Sequence, residues 1–164
     1  MIVVLQRVTR GRVSIENKVV GAINHGLVIF LGVMNTDEKK DGDFLADKIS
    51  DFRIFNDKDH KMNLSVKDAG GSALVISQFT LCSNWRKGRR PSFINAASPE
   101  KGEQLYIDFM EKLTANGLLV KSGKFGAMMK VNLISKLVEK GLHINYEKRF
   151  KIRHCIKSWC SSSL

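Results

Sequence analysis

One segment near the middle of the chain decides its fold: Gly70-Gly71-Ser72-Ala73-Leu74-Val75-Ile76-Ser77-Gln78-Phe79-Thr80-Leu81. The two glycines indicate a turn, and the short apolar run after them is typical of a strand that is buried on both faces. A buried strand that ends in polar residues presents them at the edge of a sheet, where ligands commonly bind. The segment therefore predicts a central strand with a candidate site at residues 77–80, although hydroxyl groups that merely cap a strand end would give the same pattern.

Upstream of this segment, the first 33 residues predict strands that are joined by turns. Ile2–Leu5 and Leu27–Val33 are apolar runs, and Val13–Ile15 alternates between apolar and polar residues with the period of two that a strand requires. Residues 37–52 predict a helix, because acidic residues fall in its first turn and apolar residues recur at helical spacing.

Downstream of the segment, a polar and basic loop at residues 83–93 leads to a second helix. Ser98 is a favourable N-cap and Pro99 a favourable first helical residue, so the helix is predicted to begin there. Two more strands are predicted around residues 118–120 and 129–133, because apolar residues again alternate. Strands that are interrupted by two amphipathic helices indicate a single mixed α/β domain.

A second candidate site lies between the last two predicted strands: Ser122-Gly123-Lys124-Phe125-Gly126-Ala127. Two glycines flank an aromatic residue just before a strand, which allows the backbone to approach a ligand closely while the ring offers a stacking surface. A simple turn that connects two strands is the alternative interpretation.

The composition favours a polyanionic partner and argues against several functional classes. The net charge is +11, and residues 136–164 hold seven Lys or Arg and two Glu, a net +5. Such a field favours polyanions, and nucleic acid, an acidic membrane surface and a simply solvated basic end are all compatible with it. No apolar run approaches the roughly 20 residues of a membrane span, and the apolar N-terminus lacks a preceding basic segment, so no signal peptide is expected. Three scattered cysteines predict neither a disulfide framework nor a metal site.

Familiar catalytic and phosphate-binding motifs are absent from the sequence, including the GxSxG elbow, the GxxxxGK[ST] loop and HExxH. The four histidines, His25, His60, His143 and His154, fall in predicted turns or in the C-terminal tail, so each is expected at the surface. The chemistry is therefore expected at the two candidate sites.

The order and spacing of several motifs resemble the D-aminoacyl-tRNA deacylase family over about residues 1–134. The two candidate sites carry the most specific part of this resemblance. The other matching motifs are Gln6-Arg7-Val8, Leu31-Gly32-Val33, Arg53-Ile54-Phe55, Lys87-Gly88-Arg89-Arg90-Pro91-Ser92-Phe93 and Ala97-Ser98-Pro99. We therefore predict a deacylase-like domain at residues 1–134 and a divergent basic C-terminal tail at residues 135–164.

The resemblance implies a single-domain, three-layer α/β/β fold with a mixed sheet and two main helices, assembled as a homodimer in the cytoplasm without membrane contact. It implies hydrolysis of the ester that joins a D-amino acid to the 3′-terminal adenosine of tRNA, with mischarged glycyl-tRNA as a further candidate substrate. It implies neither a metal nor an organic cofactor. Such a chain would take part in chiral proofreading of aminoacyl-tRNA.

The catalytic residues that the resemblance implies are Ser77, Gln78, Phe79 and Thr80. A threonine nucleophile needs an adjacent base, and the two candidate sites offer none apart from Lys124. Ser77, Gln78 and Thr80 are therefore interpreted as positioning groups and the amides near Phe79 as oxyanion donors, with assistance from the substrate's ribose 2′-hydroxyl. We assign substrate binding to Arg7, Phe125, Gly126, Ala127 and Met129, and tRNA binding to Lys87, Arg89 and Arg90.

One departure from the family pattern concerns chirality. Family members continue from the last strand into an Asn-Asp-Gly-Pro-Val-Thr turn, whereas Leu137 and Val138 stand here at the Gly-Pro positions. In the family, a cis Gly-Pro of one subunit enters the partner's pocket, where its carbonyls receive the substrate's amino group and exclude an L side chain. A cis bond is cheap only before proline, so poor discrimination between D and L esters is expected. The alternative function is a catalytically impaired relative that binds tRNA or other nucleic acid without chiral proofreading.

Overall fold

The computed structural model of the chain describes residues 1–84, 86, 89–135 and 142–145, the last four by their backbone alone. A 3₁₀ turn at Phe79–Cys82 accompanies two helices and ten strands among these residues. The helices are α1 (Lys39–Ser50) and α2 (Pro99–Ala115); the strands are β1 (Ile2–Val8), β2 (Arg10–Ile15), β3 (Lys18–Ile23), β4 (Gly26–Gly32), β5 (Phe55–Asn56), β6 (Met62–Leu64), β7 (Ser72–Ser77), β8 (Leu119–Ser122), β9 (Lys130–Ile134) and β10 (Leu142–Asn145).

A five-stranded mixed sheet forms the centre of the fold, in the order β10-β1-β4-β7-β8. β1 is antiparallel to both of its neighbours, whereas β4, β7 and β8 are parallel to one another. Parallel neighbours need long crossover connections, and here α1 lies between β4 and β7 while α2 lies between β7 and β8. The mixed sheet and the two predicted helices are thus confirmed.

Side chains of the central sheet alternate between two hydrophobic cores. Ile29 and Val75 join the core that contains the helices, whereas Val28 and Leu74 join a second core with Val13 of β2. The second core is closed by a three-stranded sheet in the order β3-β2-β9. Helices, central sheet and small sheet therefore form the three α/β/β layers that the resemblance implies.

Both helices begin at capping residues. The Ser98 side chain accepts a bond from the Lys101 amide at 3.4 Å, and Pro99 is the first helical residue, as predicted. α1 begins two residues later than the prediction, with Glu38 and Asp41 forming a capping box. Asp37 stands before the helix because its carboxylate accepts bonds from the Met1 ammonium group and from the Met34 amide, both at 2.6 Å.

Two features depart from the sequence expectations in detail. The polar end of the central segment does not continue as a strand, because the chain turns into the 3₁₀ conformation at Phe79. In addition, four residues of the segment predicted as a divergent tail form β10, which pairs with β1 in the register Ile2↔Asn145 to Leu5↔Leu142. The predicted boundary at residue 134 stays a prediction, because residues 136–141 and 146–164 lie outside the described part of the chain.

Candidate functional site

The two predicted sites face each other across one cavity of about 630 Å³. One wall comes from the end of β7, and the opposite wall comes from the turn between β8 and β9. Helix α2 and the end of β4 contribute the remaining surface. The lining residues are Leu31, Val33, Ile76, Ser77, Gln78, Phe79, Ala96, Ala97, Ser98, Pro99, Gly102, Tyr106, Phe125, Gly126, Ala127, Met128, Met129 and Val131.

The β7 wall is fixed by the parallel pairing of β7 with β4. Ser77 lies opposite Leu31, and the Gln78 amide donates to the Leu31 carbonyl at 2.8 Å. Beyond this bond the chain enters the 3₁₀ turn, and the Gln78 side-chain amide donates to the Thr80 hydroxyl. Thr80 is exposed and does not line the cavity, so its hydroxyl holds the Gln78 amide rather than facing a ligand.

Phe79 is an exposed apolar side chain at the mouth of the cavity, with 60% of its surface accessible. Its ring meets the ring of Phe93 edge to face, with 5.1 Å between the centroids. The aromatic pair therefore ties the 3₁₀ turn to the end of the predicted basic loop.

The opposite wall is held to the central sheet through Val75. The Val75 carbonyl accepts a bond from the Gly123 amide at 3.1 Å and another from the Tyr106 hydroxyl at 2.8 Å. The Phe125 ring packs beside Tyr106 with 5.8 Å between the centroids. A Cβ atom at Gly102 would lie 3.2 Å from the Phe125 ring, so helix α2 also limits how far this ring can sit from the cavity.

The two glycines of the predicted turn have distinct structural causes. A Cβ atom at Gly123 would lie only 2.4 Å from the Met129 sulfur, so the turn must approach that side chain closely. Gly126 has a φ of +70°, which a residue with a side chain rarely adopts. The backbone of this wall therefore favours a glycine at both positions.

The cavity is lined by neutral groups. Tyr106 is its one titratable side chain among the described residues, and burial raises the pKa of that hydroxyl to about 12, against the smaller opposing effect of nearby Ser122. The polar side chains that face the cavity are those of Ser77, Gln78 and Ser98. No described side chain of the wall can therefore act as a general base near neutral pH.

The structure brings together most of the predicted site residues but not all of them. Arg7 does not line the cavity; its guanidinium group donates to the Ile54 carbonyl at 2.5 Å and to Asn56 at 3.4 Å. Arg89 and Arg90 are exposed on the loop that follows the 3₁₀ turn. Lys87 and the Leu137-Val138 pair lie outside the described residues, so their predicted roles stay predictions.

Sequence reasoning missed the contributions of β4 and α2 to the cavity. In the sequence, Tyr106 belongs to an apolar stripe at helical spacing, which is the signal of a core residue and carries no mark of a cavity wall. Gly102, one turn earlier on the same helix face, was the available signal, because a small residue at this spacing leaves room for another group.

The described residues contain neither a cluster of metal-ligating side chains nor a helix suited to a membrane. No group of three or more His, Cys, Asp or Glu side chains is placed to hold a metal ion within residues 1–84, 86, 89–135 and 142–145. Within the same part of the chain, no helix combines the length and the hydropathy needed to cross a lipid bilayer.

Comparison with known proteins identifies the family. The family model described as D-Tyr-tRNA(Tyr) deacylase matches residues 4–136. A D-aminoacyl-tRNA deacylase of Thermotoga petrophila is 53% identical over 132 residues, which cover 80% of this chain and 89% of the relative. A D-aminoacyl-tRNA deacylase of Halalkalibacterium halodurans is 52% identical over 135 residues, which cover 82% of this chain and 92% of the relative.

Two solved structures share the fold. One is described as a c-Myc DNA unwinding element binding protein; it has a TM-score of 0.82 and 34% sequence identity, and the match covers 90% of this chain and 99% of the other. The second is described as a "probable eukaryotic D-amino acid tRNA deacylase", with a TM-score of 0.71 and 18% identity over 82% of this chain and 94% of the other. Because the family model spans most of the sequence and the relatives share about half of their residues with it, this chain belongs to the D-Tyr-tRNA(Tyr) deacylase family.

Proposed function

We propose that this chain hydrolyses the ester that joins a D-amino acid to the 3′-terminal adenosine of tRNA, with mischarged glycyl-tRNA as a further substrate. The observation that carries the proposal is that the β7 end and the Phe125–Met129 turn enclose one cavity of about 630 Å³. This volume lies within the usual range for small-molecule sites, roughly 300–1,000 Å³, and suits one nucleotide with its amino acid. The family membership and the name that the relatives carry, D-aminoacyl-tRNA deacylase, support the same reaction.

The chemistry of the cavity suits the hydrolysis of an activated ester by water. This reaction needs a positioned water, donors for the developing oxyanion and a proton for the leaving ribose hydroxyl. Ser77 and Gln78 provide neutral polar groups at the wall, and the first amides of a 3₁₀ turn have no acceptor within that turn. We assign the oxyanion to the first of these amides, that of Phe79, because Phe79 lines the cavity.

Thr80 acts as a positioning residue in this proposal. Its hydroxyl accepts the bond from the Gln78 side chain, and the described wall contains no base that could activate it as a nucleophile. Proton transfer is therefore assigned to the 2′-hydroxyl of the substrate's own ribose.

The opposite wall binds the nucleotide and the amino acid. The half-buried Phe125 ring offers an apolar surface for the adenine, and the exposed backbone of Gly126 lets the ester approach closely. Ala127 and Met129 complete this wall. Arg7 is left out of the proposed site, because its guanidinium group is engaged with the backbone at Ile54.

Two basic side chains beside the 3₁₀ turn suit contact with RNA phosphates. Arg89 and Arg90 are exposed, and neither forms an ion pair with a carboxylate in the part of the chain that the structure describes. Phosphate contacts of this kind add affinity without reading sequence. Lys87 is assigned to the same contact. Because aminoacyl-tRNA is made in the cytoplasm, we propose the cytoplasm as the compartment of the protein.

We also propose that the chain forms a homodimer. β9 lies at one edge of the small sheet and pairs only with β2 among the described strands. Leu133 and Ile134 near its end are exposed. An apolar edge strand readily pairs with another chain, so an antiparallel contact between two copies would cover it. Light scattering that detects an 18.4 kDa monomer alone at micromolar concentration would contradict this assembly.

The test of the proposed reaction is the release of D-tyrosine from D-tyrosyl-tRNA. Gln78→Ala should lower kcat/KM by about 100-fold, the typical cost of misplacing a group in an active site. Gln104→Ala is the matched control, because Gln104 is an exposed glutamine that contacts Asp108 on the outer surface of α2. Release at the buffer rate by the natural chain would refute the enzyme and favour a binding protein without turnover, whereas equal behaviour of the two variants would refute the assignment of the site.

A further inference from the structure

The outer face of the three-stranded sheet carries a cluster of basic side chains, Arg10, Arg12 and Lys130, which we term the basic sheet face. Gly11 and Val13 of β2 point toward the central sheet, so the alternating Arg10 and Arg12 point away from it and are exposed. Lys130 of β9 is paired with residue 14 of β2, and directly paired residues project to the same side of a sheet. The three side chains therefore share one surface.

The charge of this surface is uncompensated. Strands β2, β3 and β9 contain four basic residues and no acidic residue. None of the three cations forms an ion pair within the described ranges. Lys67 and Lys112, by contrast, each pair with an aspartate on the helical side of the molecule. An exposed, unpaired cationic surface favours an anionic partner. The homodimer contact proposed above runs along the backbone edge of β9 and does not require this face to meet a second copy.

The basic sheet face adjoins the cavity. Met129 and Val131 line the cavity, and Lys130 between them points to the other side of the same strand. Met128, at the rim, has 93% of its surface accessible. Strand β9 is thus the partition between the cavity and the cationic surface. A polyanion that leaves the cavity over this rim would meet Lys130 first and then the two arginines, along roughly 13 Å of sheet from position 14 to position 10.

We propose that the basic sheet face binds the phosphate backbone at the acceptor end of the tRNA whose terminal nucleotide occupies the cavity. This inference rests on the proposed function, because that function places the RNA end in the cavity. The contact adds affinity and fixes the direction in which the acceptor strand leaves the site. It reads no base, because exposed Lys and Arg side chains contact phosphates irrespective of sequence.

The test compares two variants of equal net charge. The test variant carries Arg10→Gln, Arg12→Gln and Lys130→Gln. The control carries Lys48→Gln, Lys58→Gln and Lys61→Gln, three exposed lysines on α1 and on the hairpin of β5 and β6. Affinity for uncharged tRNA is measured against salt concentration, and kcat/KM is measured on D-tyrosyl-tRNA and on a D-tyrosyl ester of adenosine alone.

We expect the test variant to lower the slope of log affinity against log salt by about 2–3, since each lost phosphate contact removes about 0.7–0.9. The control should keep the natural slope, and so should a charge-retaining variant with Arg10→Lys and Arg12→Lys. The loss of kcat/KM in the test variant should be at least about tenfold greater on the tRNA substrate than on the short ester, because the short ester carries no phosphates to lose.

Several results would overturn the inference. One is a test variant whose salt slope equals that of the control, and another is an equal loss of kcat/KM on the two substrates. A change in oligomeric mass that is confined to the test variant would assign the surface to a second copy of the chain instead. If the natural chain hydrolyses neither ester, the proposed function fails, while the binding measurement with uncharged tRNA still decides the role of the basic sheet face.

Discussion

Replacing Tyr106 by phenylalanine should lower the free energy of unfolding, and the hydrogen bonds of this side chain indicate the size of the loss. The Tyr106 hydroxyl is buried and donates to the Val75 carbonyl at 2.8 Å. That carbonyl keeps a second bond from the Gly123 amide, so the substitution removes one hydrogen bond without leaving a buried group unpaired. The expected loss in the free energy of unfolding is therefore about 1 kcal/mol, rather than the larger penalty of an orphaned acceptor. For a chain of this length, such a loss corresponds to a decrease in Tm of roughly 2–4 °C.

The same substitution has a limited expected effect on catalysis. If the whole 1 kcal/mol were lost in the transition state, kcat/KM would fall about fivefold. Thr114→Val is the matched control, because the Thr114 hydroxyl donates to the Met110 carbonyl at 2.9 Å on the same helix but is exposed; its cost should stay within about 0.5 kcal/mol. Urea unfolding and deacylation of D-tyrosyl-tRNA measure the two effects. A Tyr106→Phe variant as stable as the control, or one that loses more than about 3 kcal/mol, would refute the reasoning.

Alkaline pH gives an independent measurement of the same side chain. Burial raises the pKa of Tyr106 from 10.0 to about 12, so the folded protein favours the neutral hydroxyl. The resulting stabilisation is complete below pH 10 and disappears as the pH rises toward 12. The natural chain should lose more stability over that interval than Tyr106→Phe does, and parallel curves for the two proteins would show that the hydroxyl is not buried as described.

Three further predictions concern the nucleophile, stereoselectivity and acid stability. Thr80→Ala should lower turnover by far less than about four decades, the loss expected on removing a covalent nucleophile, and an acyl-enzyme trapped on Thr80 would disprove its positioning role. Deacylation of matched D- and L-tyrosyl-tRNA should differ by less than about 100-fold, or 2.7 kcal/mol, because the sequence lacks the Gly-Pro pair; a larger preference for D would mean that another segment excludes the L side chain. The hydrogen bond from Lys112, followed by that from Asn116, lowers the pKa of Asp47 from its ordinary value of 3.8, so stability is lost as the pH falls below 3.8. Asp47→Asn should therefore weaken this acid dependence in thermal melts, and an unchanged profile would exclude Asp47 as its source.

Local sequence signals were sufficient to predict those elements whose position is determined by residues that are close together in the chain. The apolar run before Ser77 became β7, and the Ser98-Pro99 pair began α2, because burial and capping are decided within a few residues. The two candidate sites were likewise visible as polar and glycine-rich interruptions of strands. That they lie opposite each other depends on the parallel pairing of β7 with β8, which no local signal reports.

The remaining features depend on contacts between distant parts of the chain. Arg7 resembles a site residue in sequence, yet it does not line the cavity, and its guanidinium group donates to the carbonyl of Ile54, 47 positions away. The pairing of β10 with β1 also could not be predicted, because a short strand at a sheet edge has little pattern of its own. Tyr106 carries an ordinary core pattern, and its role at the cavity wall appears only when α2 has been placed on the sheet.

The pairing of β2 with β9 can form only late in synthesis, because the two strands lie far apart in the sequence. Arg10 lies opposite Ile134, so β2 leaves the ribosome more than 120 residues before its partner on that side. At roughly 5–20 residues per second, this interval lasts about 6–25 s. β1 waits even longer for β10, although β4 covers its other edge early. The hairpin of β2 and β3 therefore spends several seconds with an open edge, and a ribosome that pauses between α2 and β9 prolongs the time in which that edge is available to chaperones or to a neighbouring nascent chain.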